Sequence, residues 1–295
     1  MPEQQSLKQL AFKPTPAGHP LLEVQRIDAA HPLHSMPPHT HHFLEFLYFD
    51  QPGGTHRVGA NTEKIKTGSV FVIAPGELHD ARNIGRAQGW LVMFTPETLG
   101  PRGSEPNGFF DWLSHPLLVP FMRSASVKSE HWQIATAQRE RWSALLGELE
   151  RELRDNHFGF QEAASALLRL MLVELSRLVD PKIRETLPLQ SEFLKRVFAF
   201  IETHHTQTFR MSDLAEQVHR SPNHVTSVVK NLTGRSVRDW LLERRMAGAR
   251  ALLMAGGLDV SGIAEEVGYN DVTQFIRQFK RLHGLTPLAW RKANR

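Results

Sequence analysis

The chain contains no cysteine in 295 residues. That excludes disulfides, thiolate nucleophiles, iron–sulfur clusters and cysteine-built zinc sites together, and it fits a reducing cytosol. Long apolar runs are also missing. The most apolar stretch, Leu167–Leu175, is interrupted by Arg169 and Glu174, far short of the ~20 apolar residues that span a bilayer. Met1–Pro14 has no continuous apolar core, so no signal peptide is read there. The expectation is a soluble, cytoplasmic protein with no membrane association. At 41% hydrophobic and 22% charged residues its composition is ordinary for a globular protein, and its length allows two domains with separate cores.

A large net charge is absent too, but the formal +4 hides a gradient. From Gln190 onward the balance is +6, and over the rest of the chain it is −2. A basic carboxy-terminal third beside a near-neutral remainder suits a nucleic-acid-binding module joined to something else.

That basic third nearly repeats itself. Leu214-Ala215-Glu216-Gln217-Val218 matches Ile263-Ala264-Glu265-Glu266-Val267 at an offset of 49 residues. After one inserted residue the offset is 50, pairing Val225 with Phe275, Val229 with Phe279, Lys230 with Lys280, Gly234 with Gly284 and Trp240 with Trp290. A repeat of this period signals one supersecondary unit used twice. Each copy reads as helix, tight turn, helix. In the first copy Ser212 is the expected cap of the leading helix, and Ser221-Pro222 restarts the chain as a second one. In the second copy the turn is Gly268-Tyr269-Asn270-Asp271. Such a pair, with a polar outer face on its second helix, is a helix-turn-helix.

With Val225 and Val229 inward, Asn223, Thr226, Ser227 and Lys230 face outward; with Phe275 and Phe279 inward, Thr273, Ile276, Arg277 and Lys280 do. Short hydrogen-bonding side chains and arginine suit base edges in a major groove, and lysines suit phosphates. A solvated helix face is the bland alternative for one copy; matching polarity in two copies argues against it.

The segments Ile263–Asp271, Gln274–Arg281, Gly284-Leu-Thr-Pro and Trp290-Arg291 closely resemble the signature of AraC/XylS-type transcription regulators. The match spans about a hundred residues, with glycine, aromatic, Phe-Lys and Thr-Pro elements in register. The first copy departs from the pattern: Val229-Lys230 stands where Phe-Lys is usual, and His219 stands near a position often small.

Residues 20–125 read differently. Prolines and glycines punctuate short apolar runs, Leu21–Ile27, Phe43–Phe49, Ser69–Ile73 and Gly89–Phe94, which favour strands of a sandwich or barrel. Reading His39–Phe49 as one strand puts His39, His41, Phe43, Glu45 and Leu47 on one face and Leu44, Phe46 and Tyr48 on the other, so both faces call for burial. The spacing His39-x-His41-x-x-x-Glu45, followed by Gly68, Pro75-Gly76, His79 and Asn83, resembles the two motifs of cupins. In metal-binding cupins the two histidines, the glutamate and the later histidine hold one divalent ion, and here His39, His41, Glu45 and His79 fill those four positions. Three imidazoles and a carboxylate suit Zn, Fe, Mn, Ni or Cu without choosing among them. The alternative is a metal-free pocket whose histidines hydrogen-bond a small effector or each other. His42, next in sequence, is expected to face away.

Ile134–Asn156 and Gln161–Val179 carry leucines at helical spacing. They either pack on the barrel or pair two chains; relatives of this architecture often dimerise through helices in this place. Asp180–Pro188, with two prolines, reads as a linker. Val237–Ala255 reads as one rigid helix of about 18 residues and roughly 27 Å, long enough to set two reading helices in successive major grooves about 34 Å apart.

The resulting expectation is a mixed, two-domain fold. Residues 1–128 would form a cupin-like, jelly-roll β-barrel sensor, 129–187 a helical connector with a dimerisation role, and 188–295 an all-α tandem helix-turn-helix domain. The resemblance implies a ligand-responsive, sequence-specific transcription regulator. Its partners would be promoter or operator DNA, a small-molecule effector, RNA polymerase and a second copy of the chain. The competing class is a metal-dependent cupin enzyme, performing oxidation or isomerisation on His39, His41, Glu45 and His79, fused to a DNA-binding domain. An enzyme has no need of the carboxy-terminal third. A DNA-repair methyl acceptor is excluded by the missing cysteine.

Overall fold

In the computed structural model, the residues described are 8–10, 22–41, 43–99, 116–122, 131–179, 181–233 and 235–293. They divide into two compact units. Of these residues, one unit holds 8–10, those between 22 and 99, and 131–174; the other holds 116–122 and those between 175 and 293.

The first unit is built from ten strands: β1 (Lys8–Leu10), β2 (Leu22–Ile27), β3 (His39–His41), β4 (Leu44–Gln51), β5 (Thr55–Val58), β6 (Asn61–Lys64), β7 (Ser69–Ile73), β8 (His79–Asp80), β9 (Gln88–Phe94) and β10 (His131–Gln133). They form two five-stranded sheets, in the orders β1-β3-β8-β5-β6 and β10-β7-β4-β9-β2. Only β1 and β3 pair in parallel among these strands. The four apolar runs visible in the sequence all lie in the second sheet, where β7, β4, β9 and β2 are neighbours.

The central strand β4 shows why both faces are apolar. Leu47 and Phe49 enter the core with Ile27, Val58, Ile65, Phe71, Ile73 and Leu91. On its other face Phe46 and Tyr48 meet Trp142, with ring centres 6.5 and 5.5 Å apart, and the Tyr48 hydroxyl donates to the Arg139 carbonyl at 3.2 Å. Trp142 and Arg139 lie on α1 (Thr136–Asp155), which packs against the sheet. Each fully buried side chain of this size contributes roughly 1.5–3 kcal/mol. Gly89 allows β9 to approach, since a Cβ there would lie 2.1 Å from the Tyr48 carbonyl oxygen.

Helix α1 ends at Asn156 in the left-handed region (φ 53°). Helix α2 (Phe160–Leu178) follows, and its stripe Leu168, Met171, Leu172 and Leu175 is 0% exposed within the single chain. Of the stripe Leu167, Leu168, Met171 and Leu175 that could pair two chains, Leu168, Met171 and Leu175 are buried within the single chain and Leu167 is half-buried. The 181–188 segment, expected as a linker, is helical: α3 (Pro181–His204) runs through it. Pro181 opens that helix at a position where proline has no intrahelical donor to lose.

Among the described residues after α3 the chain forms six α-helices: α4 (Met211–Gln217), α5 (Pro222–Thr233), α6 (Val237–Ala255), α7 (Val260–Glu266), α8 (Val272–His283) and α9 (Pro287–Ala293). The expected cap of α4 is corrected. Arg210, not Ser212, precedes the helix, and the Asp213 carboxylate accepts from the Arg210 backbone N–H at 2.8 Å. Ser221 does cap α5, accepting from the His224 N–H at 3.3 Å. Asp271 caps α8, accepting from the Thr273 N–H at 2.8 Å. Among the described residues no helix is long and apolar enough to cross a membrane.

Candidate sensor pocket and nucleic-acid interface

The His39–Phe49 stretch is two strands rather than one. β3 (ending at His41) belongs to the first sheet and β4 (starting at Leu44) to the second. His42 lies outside the described residues. The change of sheet is what makes the pocket. β3 and β8 pair with His39 opposite His79, the Gly76 N–H donates to the His41 carbonyl at 2.6 Å, and Glu45 reaches in from the other sheet.

His41, Glu45 and His79 converge, with ligand atoms all within 4.8 Å of one another. The Glu45 carboxylate lies 3.3 Å from His41 Nε2 and 3.5 Å from His79 Nε2. All three side chains are buried. His41 Nδ1 donates to the Phe43 carbonyl at 2.9 Å and His79 Nδ1 to the Glu77 carbonyl at 3.4 Å. These bonds put the proton of each neutral ring on Nδ1 and leave a lone pair on Nε2. Ligating imidazoles are commonly held this way. His41 Nε2, His79 Nε2 and Glu45 Oε1 have no hydrogen-bond partner, which is costly in a dry interior unless a cation or proton sits among them.

Burial sets the protonation. It pushes the His41 imidazole down to about 4, against a smaller upward pull from the Phe43 carbonyl, and holds His79 well below the usual range. The Glu45 carboxyl is pushed up, again mainly by burial. Burial thus keeps both imidazoles neutral, and two imidazoles with a glutamate oxygen are a donor set that suits a divalent ion. His39 stands beside this group rather than in it. Its ring centre is 4.1 Å from that of His79, and its Nδ1 donates to the Pro37 carbonyl at 2.9 Å.

One pocket residue was missed from the sequence. His56 on β5 is 0% exposed, and neither ring nitrogen has a hydrogen-bond partner. Its ring centre lies 4.8 Å from that of Phe71 and 6.0 Å from that of His79, and burial pushes its pKa down to about 3. The alternation Thr55-His56-Arg57-Val58 after Gly53-Gly54 was the available signal.

In the other unit, α5 buries Val225 and Val229 and exposes Asn223, Thr226, Ser227 and Lys230. α8 buries Phe275 and Phe279 and exposes Thr273, Arg277 and Lys280. Ile276, expected on the same face, is half-buried and packs against the core of Met246, Leu253, Ile263, Phe275 and Phe279. Its apolar side chain follows the core instead of the polar neighbours on either side. His224 on α5 and Gln274 and Arg281 on α8 are exposed as well, and the inward–outward assignment had passed over them.

Residues 21–172 match the AraC-like ligand binding domain, and residues 214–293 match a helix-turn-helix domain. The first match alone spans more than half of the chain. The chain belongs to the AraC family. It joins that family's ligand-binding domain to its DNA-binding domain and is a ligand-responsive transcription regulator whose partners are DNA and a small-molecule effector. Among curated relatives, the HTH-type transcriptional activator RhaR of Shigella boydii is 25% identical over 263 residues, 87% of each chain. RhaR of Enterobacter sp. is 23% identical over 90% of each chain. The carboxy-terminal domain of the two-component response regulator YesN from Fusobacterium nucleatum is 34% identical, covering 33% of this chain and 95% of that one at a TM-score of 0.32. ToxT from Vibrio cholerae is 12% identical, covering 92% of this AraC-family chain and 96% of that one at a TM-score of 0.45.

Proposed function

We propose that this AraC-family regulator reads two successive major grooves with α5 and α8. Asn223, Thr226, Ser227, Thr273 and Arg277 would approach base edges, and Lys230 and Lys280 the phosphates. The observation that carries this is the pair of exposed polar faces at equivalent positions of a tandem motif, joined by the single 19-residue helix α6. At 1.5 Å per residue α6 is about 28 Å long, which suits reading helices one turn of DNA apart. RNA polymerase is the further partner of such a regulator in the cytoplasm. A homodimer would use a face of α2 other than Leu168, Met171 and Leu175, which their own chain already buries. Selection of binding sites from random duplexes by the full chain tests the reading. A two-box site with boxes about 10 base pairs apart is expected, and binding without sequence preference would overturn it. Light scattering with and without that DNA reads the oligomeric state.

The amino-terminal pocket serves as sensor rather than catalyst in this proposal. His41, Glu45 and His79 would hold a divalent ion, with His39 and His56 lining the space beside it. When bound, such an ion supplies positive charge and open coordination positions for an effector oxygen or nitrogen. The expected outcome is one equivalent of Zn, Fe, Mn, Ni or Cu in purified protein by elemental analysis. Chelation should lower the melting temperature of the amino-terminal unit and leave the carboxy-terminal one unchanged. Glu45→Gln should release the ion while His39→Ala retains it. No stoichiometric metal, with melting indifferent to chelators, would leave an organic effector alone as the pocket's ligand.

A further inference from the structure

We propose that Arg245 sets the spacing between the two DNA boxes by bracing α6 against the loop that follows α3. This rests on the two-groove reading above and adds the residue that fixes its geometry.

Each helix-turn-helix packs on its own part of α6, so α6 carries the relation between them. Near its middle lies Gly248. A glycine inside a helix is a soft point, since it adds backbone freedom and no side-chain packing. Three residues before it, the Arg245 guanidinium spans a gap. Its Nε donates to the His205 carbonyl at 2.6 Å and its Nη2 to the Gln207 carbonyl at 3.1 Å. The same group lies 5.3 Å from the centre of the Tyr269 ring. Tyr269 belongs to the turn of the second motif and packs on Phe275 of reading helix α8, ring centres 5.4 Å apart.

The loop is also seated directly under that turn. A Cβ on Gly268 would fall 2.6 Å from the Thr206 carbonyl oxygen. The loop itself follows α3, which is tied to the first part of α6 and packs on α4 of the first motif: Arg244 Nε donates to Glu202 of α3 at 2.7 Å, and Phe198 of α3 packs on Trp240, ring centres 5.4 Å apart. Arg245 thus holds one backbone loop, fixed to α3, against the turn that aims α8. An arginine is suited to this because its planar fork donates along two directions while its face lies on a ring.

The consequence is read on DNA. One base pair added between the boxes moves the second by about 3.4 Å and rotates it by about 34°. A braced pair of reading helices rejects that change; a pair joined only by a glycine-containing helix tolerates it.

The experiment uses the full chain and the duplex it selects, with the spacer lengthened or shortened by one base pair. The unmodified chain is expected to lose about 100-fold in affinity at either altered spacing, on the scale of losing a few base contacts. Arg245→Ala, and Arg245→Lys, which keeps the charge but loses the fork, should reduce that penalty to about 10-fold or less while binding the selected spacing within a few fold. Adding Gly248→Ala to Arg245→Ala should stiffen α6 and restore part of the penalty. A merely structural arginine predicts the opposite pattern: affinity falls equally at every spacing and the penalty stays unchanged, which overturns the proposal. If Arg245→Ala does not fold, Tyr269→Leu removes the ring under the guanidinium and reads the same ratio. An unmodified chain that selects no two-box site would fail the two-groove reading itself, a separate result.

Discussion

The two helix-turn-helix copies close their turns with the same hydrogen bonds and fill their cores with different side chains. Val218, His219 and Arg220 donate to Leu214, Glu216 and Ala215 at 3.1, 3.0 and 2.9 Å. Val267, Gly268 and Tyr269, 49 positions on, donate to Ile263, Glu265 and Ala264 at 3.1, 2.9 and 2.8 Å. The backbone plan is therefore held even where the residues change. Inside, the first copy places Val225 and Val229 where the second has Phe275 and Phe279. It compensates at the end of the reading helix: Trp240 Nε1 donates to the buried Thr233 hydroxyl at 2.8 Å, and Arg235 lies 4.5 Å from the Trp240 ring centre. Trp240 also meets the Phe198 ring of α3 at 5.4 Å, whereas in the second copy Trp290 meets rings of its own reading helix, Phe279 at 6.0 Å and His283 at 6.4 Å. One copy is tied by a polar bond to a small core, and the other is packed by aromatic area.

The largest expected difference follows from that packing. Phe279→Ala should cost about 3–5 kcal/mol, since it removes a fully buried ring and leaves a cavity between α8 and α9. Val229→Ala should cost about 1–3 kcal/mol, because fewer buried methyl groups are lost. Chemical denaturation of the full chain, followed through the carboxy-terminal tryptophans, reads both. Equal costs would show that the aromatic copy is no more dependent on its core than the aliphatic one.

Next comes base reading, where the copies also differ. The exposed face of α5 is short and polar, while that of α8 carries Arg277. Arg277→Ala should cost about 1–3 kcal/mol on the selected site and little on random DNA. Equal loss on both would make Arg277 a positioning contact. Lys230→Ala and Lys280→Ala occupy equivalent positions and should behave alike: a uniform loss across sequences, with the slope of log affinity against log salt reduced by about 0.9 for each. A sequence-selective loss from either lysine would break the symmetry between the copies.

What the sequence revealed follows the same division between area and geometry. The strands legible in advance, β2, β4, β7 and β9, are those whose side chains supply apolar area to the core, and α6 was read to its exact ends. The first sheet was largely invisible, because β3 and β8 are 3 and 2 residues long and β6 is exposed throughout. Strands that short are defined by partners, not by their own pattern. The same limit hid that β3 ends at His41 and β4 starts at Leu44 in the other sheet, and with it the fact that Glu45 faces the histidines from the opposite sheet. His56 escaped because a lone histidine in a four-residue strand carries no motif. Ile276, read as facing outward, is half-buried, because a residue at the edge of an apolar stripe is shared between core and surface.

The smallest effect expected is at the turns, and it tests why the first copy departs from the family pattern. His219 sits at φ 53° and Gly268, its counterpart, at φ 84°. A side chain in the left-handed region is strained by its own Cβ, although histidine tolerates it better than branched residues do. His219 is exposed, so replacing it removes no buried contact. His219→Gly should relieve the strain but gain freedom in the unfolded chain, and the two nearly offset. A net stabilisation of about 0.5 kcal/mol is expected, a rise of about 2–4 °C for a domain of this size. His219→Val should destabilise, since a branched side chain adds strain at the same φ. The reverse exchange is not symmetrical: Gly268→Ala meets both a positive φ and the Thr206 carbonyl oxygen at 2.6 Å, so it should cost more than any change at position 219. If His219→Gly instead weakens DNA binding at unchanged stability, the imidazole contacts the duplex, and the departure from glycine in the first copy belongs to recognition rather than to tolerance of strain.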